Sequence, residues 1–225
     1  KISENQKQNF VKLEEIEKMI DTMKSEIKEK NLKTKKELNG KEKELLMMYT
    51  IWNILIRIPT RNEFSNVVLV NKSAYKKLTE ADKKKNNYLV AEKNKFFFVY
   101  NVYKTSKQYG EKKIDVEKDL AMILRSYIKL TKKKSGDSMF TTSTGNQISP
   151  NVASQLLLKY SKRYLQKNIS STILRHIVLS HKFADTKNEM EEMAEKTGHS
   201  VNTMLDIYVK DSPLITGDDE PSKDE

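Results

Sequence analysis

The β-forming runs of this 225-residue chain gather in one block, between long stretches patterned as helix. Val67–Val70, Tyr88–Glu92 and Phe96–Lys104 are β-branched and aromatic, and Gly110 marks a turn before Lys112–Val116. The segment VYKTSKQYGEKKIDV therefore reads as a hairpin with a lysine-rich tip, and AYKKLTEADKKKNN, between the first two runs, as a basic loop or short helix. So few strands make one small sheet, which must find its cover among the flanking helices.

Those helices are legible from apolar spacing. Leu13, Ile16, Ile20, Met23 and Ile27 predict one helix over residues 5–30, docked on the domain after it. Asn39-Gly40 is a turn, after which Leu45, Met48, Trp52 and Leu55 predict a helix over 41–57. Trp52, the only tryptophan, should make it the most buried helix, and Pro59 ends it. Leu120, Ile123, Leu124 and Tyr127 predict a helix over 116–130, closed by Lys132-Lys133-Lys134 and Gly136. Residues 140–146 read as a short strand or loop. Ser149-Pro150 opens a further helix through Leu156, Leu157, Tyr160 and Tyr164. Ser170 and Ser171 cap a helix carrying Arg175, and 185–196 reads as a separate short helix.

Composition narrows the partner. The net charge of +11 suits a polyanion, most simply nucleic acid, through phosphate neutralisation; Lys132, Lys133 and Lys134 are candidate phosphate contacts. No apolar run approaches membrane-spanning length, so no membrane partner is expected. Without cysteine there are no disulfides or thiolate sites, and three histidines lack a metal-ligand spacing. The acidic ending GDDEPSKDE reads as disordered. The chain begins with lysine and reads as part of something longer.

Residues 170–210 concentrate the chemistry. Ser200 follows the Gly198-His199 break and predicts a short helix from Val201, with Met204, Leu205 and Tyr208 on one face. The Tyr208 hydroxyl would then point back toward His199 and Arg175. Two cations and a phenol around one point suit a phosphodiester: the cations hold non-bridging oxygens and the phenol attacks phosphorus. The plainer alternative is an ordinary half-buried tyrosine.

Leu174-Arg175-His176, then Gly198-His199-Ser200, then Tyr208 nine residues after that histidine resemble the carboxy-terminal motif of the tyrosine recombinases, the phage-integrase family. The resemblance implies an α+β catalytic domain, mostly helical with a small antiparallel β-sheet, over residues 41–211. Residues 1–40 would be an N-terminal helix and linker, and 212–225 a tail. It also implies a helical domain gripping the other face of the duplex, expected outside this sequence. Pro59-Thr60-Arg61-Asn62-Glu63 resembles the turn bearing the family's first arginine, which makes Arg61 that residue, with Arg57 as rival, and Glu63 its orienting carboxylate. Lys104-Thr105 resembles the family's hairpin lysine, which makes Lys104 the general acid, with Lys107 the alternative.

By resemblance, then, Arg61, Lys104, Arg175, His199 and Tyr208 are catalytic. The reaction is cleavage and rejoining of double-stranded DNA through a 3′-phosphotyrosyl link, without metal or cofactor, in a homo-oligomer (a tetramer) on DNA inside the cell. Where the family usually has a histidine, three residues before Arg175, this chain has Thr172, which can donate a hydrogen bond to phosphate but cannot act as base. That departure keeps two alternatives open: relaxation of DNA in the manner of a type IB topoisomerase, and a DNA-binding module with a decayed active site.

Overall fold

A computed structural model describes residues 4–198 and 200–203. The chain divides into two compact units, Lys1–Leu179 and Ser180–Glu225.

In the first unit, α1 (Glu4–Asn9) and α2 (Leu13–Glu29) replace the single helix expected over 5–30. Tertiary capture explains the break: Val11 is buried, and the Asn9 side-chain oxygen accepts from the Asn168 amide at 2.7 Å. The expected strip is intact on α2, where Ile16, Met19, Ile20, Met23 and Ile27 are buried. Helix α3 (Gly40–Arg57) starts in a capping box, with the Asn39 side chain accepting from the Glu42 amide and the Glu42 carboxylate accepting from the Asn39 amide. Trp52 is wholly buried at its middle.

A 3₁₀ turn, Glu63–Asn66, leads into β1 (Val67–Asn71), α4 (Lys72–Lys77), α5 (Glu80–Lys83), β2 (Asn87–Glu92), β3 (Lys95–Tyr100), α6 (Ser106–Tyr109) and β4 (Lys112–Asp115). The sheet order is β1-β2-β3-β4. β2–β3 and β3–β4 are antiparallel, while β1–β2 is parallel, so the sheet is mixed where an all-antiparallel one was expected. The cause lies in the β1–β2 connection, whose two short helices carry the chain back to the end where β1 began. Alternation then sorts the side chains. Leu89, Phe96, Phe98 and Tyr100 face the main core, whereas Tyr88, Val90, Phe97 and Val99 form a smaller cluster with Tyr75 and Leu78. Apolar residues on both faces explain why β2 and β3 read as continuous apolar runs.

Helix α7 (Lys118–Leu130) packs on α3, and α8 (Pro150–Leu165) on α2 and α3. Between them, residues 140–146 form a loop with a single bridge, Thr141 to Gln147. Helix α9 (Ser171–Thr197) begins with Ser170 Oγ accepting from the Ile173 amide at 3.3 Å. It runs through 185–196, where a separate helix was expected; no glycine or proline interrupts it.

The second unit takes in the rest of α9, with ion pairs Lys187–Glu191 and Lys196–Glu192 along it. Gly198 then turns the chain at φ +70°, and α10 (Val201–Thr203) follows where a helix start was expected. His199, Met204, Leu205, Tyr208 and the acidic tail lie outside the described residues.

Candidate functional site

Three elements far apart in sequence meet at one cleft of about 390 Å³ in the first unit. Arg61 comes from the turn after α3, Lys104 from the β3–β4 connection and Arg175 from the first turns of α9. Lys112, the first residue of β4, is a fourth cation on the lining. Ile58, Pro59, Tyr100, Tyr103 and Ile114 supply the apolar part of the wall.

Neutral side chains hold these elements together. Asn87, fully buried at the start of β2, uses all its hydrogen-bonding capacity. Its amide nitrogen donates to the carbonyls of Glu63 and Val102, both at 3.0 Å. Its oxygen accepts from the amides of Asn101 at 2.9 Å and Val102 at 2.8 Å. One side chain thus ties the Arg61 turn to the root of the Lys104 connection. On the other side, Asn62 donates to Ser154 Oγ at 2.7 Å and to the Pro150 carbonyl at 3.2 Å, fastening the same turn to α8. Arg175 is held from below: Ile173, Leu174, Ile177 and Val178 are buried, which leaves Arg175 half-buried on the opposite face of α9.

The electrostatics of the cleft are dominated by cations, with Glu63 the one carboxylate on its lining among the described residues. Among the described residues, Arg61, Lys104 and Arg175 form no ion pair. Burial pulls the Arg175 guanidinium below its usual pKa, and the positive charge of Arg61 adds to the effect, with the Glu63 carboxylate opposing both. It stays charged at any physiological pH, so two guanidiniums repel each other across the cleft. The Tyr100 hydroxyl is pushed well above its ordinary pKa, first by burial and then by Glu63, and is a neutral phenol. Three buried oxygens at this cleft, Thr60 Oγ1, Glu63 Oε2 and the Tyr100 hydroxyl, have no hydrogen-bond partner of sound geometry.

The other sequence candidates sit elsewhere. Arg57 donates through Nη2 and Nε to Asp119, and through Nη1 to the carbonyl and side-chain oxygens of Asn53. Lys107 is exposed on α6, off the cleft lining, and Thr172 is half-buried in the first turn of α9, also off it. The three consecutive lysines part company. Lys132 and Lys134 are not buried, while Lys133 turns inward, donates to Thr141 Oγ1 at 3.0 Å and lines a separate cavity of about 250 Å³. Burial lowers the Lys133 pKa, with Asp137 opposing and Lys43 adding to the shift. Lys112 and Asn87 escaped the sequence reading. Lys112 was one lysine of many in a basic tip, and Asn87 looked like the end of a polar loop.

Among the described residues, no helix is long and apolar enough to cross a membrane, and no group of three or more His, Asp or Glu could hold a metal ion.

No protein-family model matches the chain, and no curated protein does. Among solved structures it is similar to the crystal structure of XerA recombinase, with 14% identical residues and a TM-score of 0.49 over 92% of this chain and 63% of that one. The chain thus spans less than two thirds of that structure's length.

Proposed function

We propose that this chain carries the catalytic machinery of a DNA strand transferase of the tyrosine-recombinase type, which cleaves and rejoins duplex DNA. The observation that carries the reading is the meeting of Arg61, Lys104 and Arg175 at one cleft, where among the described residues none of the three forms an ion pair and Glu63 is the one carboxylate on the lining. A phosphodiester supplies the missing negative charge, and a +11 chain supplies the surrounding field.

In the proposed reaction the Tyr208 phenol oxygen attacks the scissile phosphorus, forming the 3′-phosphotyrosyl bond as the bond to the 5′ oxygen breaks. Arg61, Arg175 and His199 stabilise the charge that grows on the non-bridging oxygens. Lys104 gives its proton to the departing 5′ oxygen, and the phenol's proton passes to His199 or water, so charge and protons balance. The covalent link conserves the phosphoester, and a 5′ hydroxyl from a second duplex reverses the step. In this reading Lys132 and Lys134 contact the duplex backbone, and copies of the chain assemble on DNA. His199 and Tyr208 enter on the sequence motif alone.

One feature favours a second reading. Thr172 stands where a base would, which suits a DNA-binding module that no longer cleaves. A nicked suicide duplex separates the two. The wild type should form a covalent adduct and Tyr208→Phe should form none while binding the same duplex; an adduct surviving in the variant would show that the nucleophile lies elsewhere, and none in the wild type would favour the second reading.

A further inference from the structure

The β3–β4 connection carries a feature that cleavage chemistry does not use. Two of the exposed large apolar side chains among the described residues, Val102 and Tyr109, lie on it, and Tyr109 is 60% exposed. The connection is nonetheless built. The Tyr103 hydroxyl donates to the Gly110 carbonyl at 2.7 Å, closing the loop across α6, and Gly110 takes φ +65°, which a side chain would resist. The Lys112 ammonium lies 4.7 Å from the Tyr103 ring centre and 5.1 Å from that of Tyr109, so one cation caps two rings. Lys112 and Tyr103 also line the cleft. Tyr109 is therefore one side chain removed from the phosphate position. Phosphates of one strand follow each other at about 3.4 Å along a duplex axis, so the ring lies within a few nucleotides of that position.

An exposed aromatic ring beside a row of cations is the arrangement that binds unpaired nucleic acid, because every base has a face to stack and every link a charge to neutralise. Building on the strand-transferase reading, we propose that Tyr109, backed by Lys112 and Tyr103, is a stacking platform for an unpaired nucleobase of the strand next to the phosphate in the cleft. Such a base exists once a strand has been cut and its end released from the duplex. The platform would hold that end near the cleft until it rejoins.

The test needs no strand cleavage. The probes are a single-stranded oligonucleotide of thymidines with one 2-aminopurine, the same backbone with abasic sites throughout, and a fully paired duplex. Wild type should quench the 2-aminopurine and bind the base-bearing strand about tenfold more tightly than the abasic one, in the range of one aromatic–base stack. Tyr109→Ala should lose both the quenching and the preference while keeping its circular dichroism spectrum, since the side chain is mostly solvated. Tyr109→Trp should restore both. Equal affinity of the wild type for the two strands, with duplex binding intact, overturns the platform and spares the strand-transferase reading. Failure to bind any of the three probes overturns both.

Discussion

Two regions of the first unit use charge in opposite ways. Where α2, α3 and α8 meet, cations have carboxylate partners. Arg163 donates to both oxygens of Glu26, Tyr164 donates to the same carboxylate at 2.6 Å, and Lys159 pairs with Glu44. At the cleft, Arg61, Lys104, Lys112 and Arg175 gather with no ion pair among the described residues, and the elements that present them are joined by the neutral amides of Asn87 and Asn62. A carboxylate used as a brace there would neutralise the cations it held in place. A primary amide bonds two donors and two acceptors without changing the field. The contrast therefore separates charge paired within the fold from charge that forms no ion pair, and substitutions on either side can break it.

The largest effect is expected at the neutral brace. Asn87→Ala removes four hydrogen bonds at a part-buried junction, two to carbonyls and two from amides. A loss of on the order of 3 kcal/mol or more in denaturant unfolding is expected, together with loss of strand cleavage. A loss below about 1 kcal/mol would mean that the turn and the β3–β4 connection hold their places without it.

Next comes the unpaired cation. Arg175→Ala should lower strand cleavage on a suicide duplex by on the order of 100-fold, as for other donors to a developing oxyanion, with little change in unfolding free energy. A drop of less than tenfold, or unfolding in step with the activity, would move Arg175 to the structural side of the contrast.

On the paired side, Glu26→Gln should cost about 1–2 kcal/mol and leave DNA binding unchanged. It also has a signature in pH. Burial alone would raise the Glu26 pKa, but hydrogen bonds from Tyr164 and Arg163 outweigh it and hold the carboxyl below its ordinary value of 4.5. A carboxyl depressed in the folded state stabilises above its unfolded pKa, and that contribution fades as pH falls through the lower folded value. The gap between wild type and variant, measured by denaturant titration, should be full near pH 6 and close progressively below about pH 4.5. A gap independent of pH would assign the loss to packing.

Much of the fold beneath this contrast was legible in the sequence, and the limits are physical. Period-3.6 strips located α2, α3, α7 and α8 because each has one buried face, and motif order brought forward Arg61, Lys104 and Arg175. The break between α1 and α2 was not legible, since Asn9 is captured by a residue just beyond the far end of α8. Nor was the parallel β1–β2 pair, because strand direction depends on where α4 and α5 lead the chain and not on the strand residues. Lys112 needed coordinates to stand out from its neighbours: pairing of β4 with β3 sets which lysine of the tip reaches the cleft. Ion pairing itself left no local trace, since the partners of Arg57 and Arg163 lie on other helices.

The smallest expected effect bears most directly on the contrast, because its sign is unusual. Removing a cation from a paired face should destabilise; removing the exposed Arg61 from the cleft should do the reverse. Arg61 is exposed and forms no ion pair, and its charge works against that of Arg175. Arg61→Met keeps most of the apolar stem and deletes the repulsion, so it should raise unfolding free energy by about 0.5 kcal/mol at low salt. The gain should shrink toward zero near 1 M salt, where the screening length falls to about 3 Å. Inorganic phosphate should reverse the order: it stabilises the wild type by occupying the cleft, and stabilises the variant less. A variant less stable than the wild type without phosphate would show that Arg61 belongs to the scaffold, and the division of charge between fold and ligand would fail at its central residue.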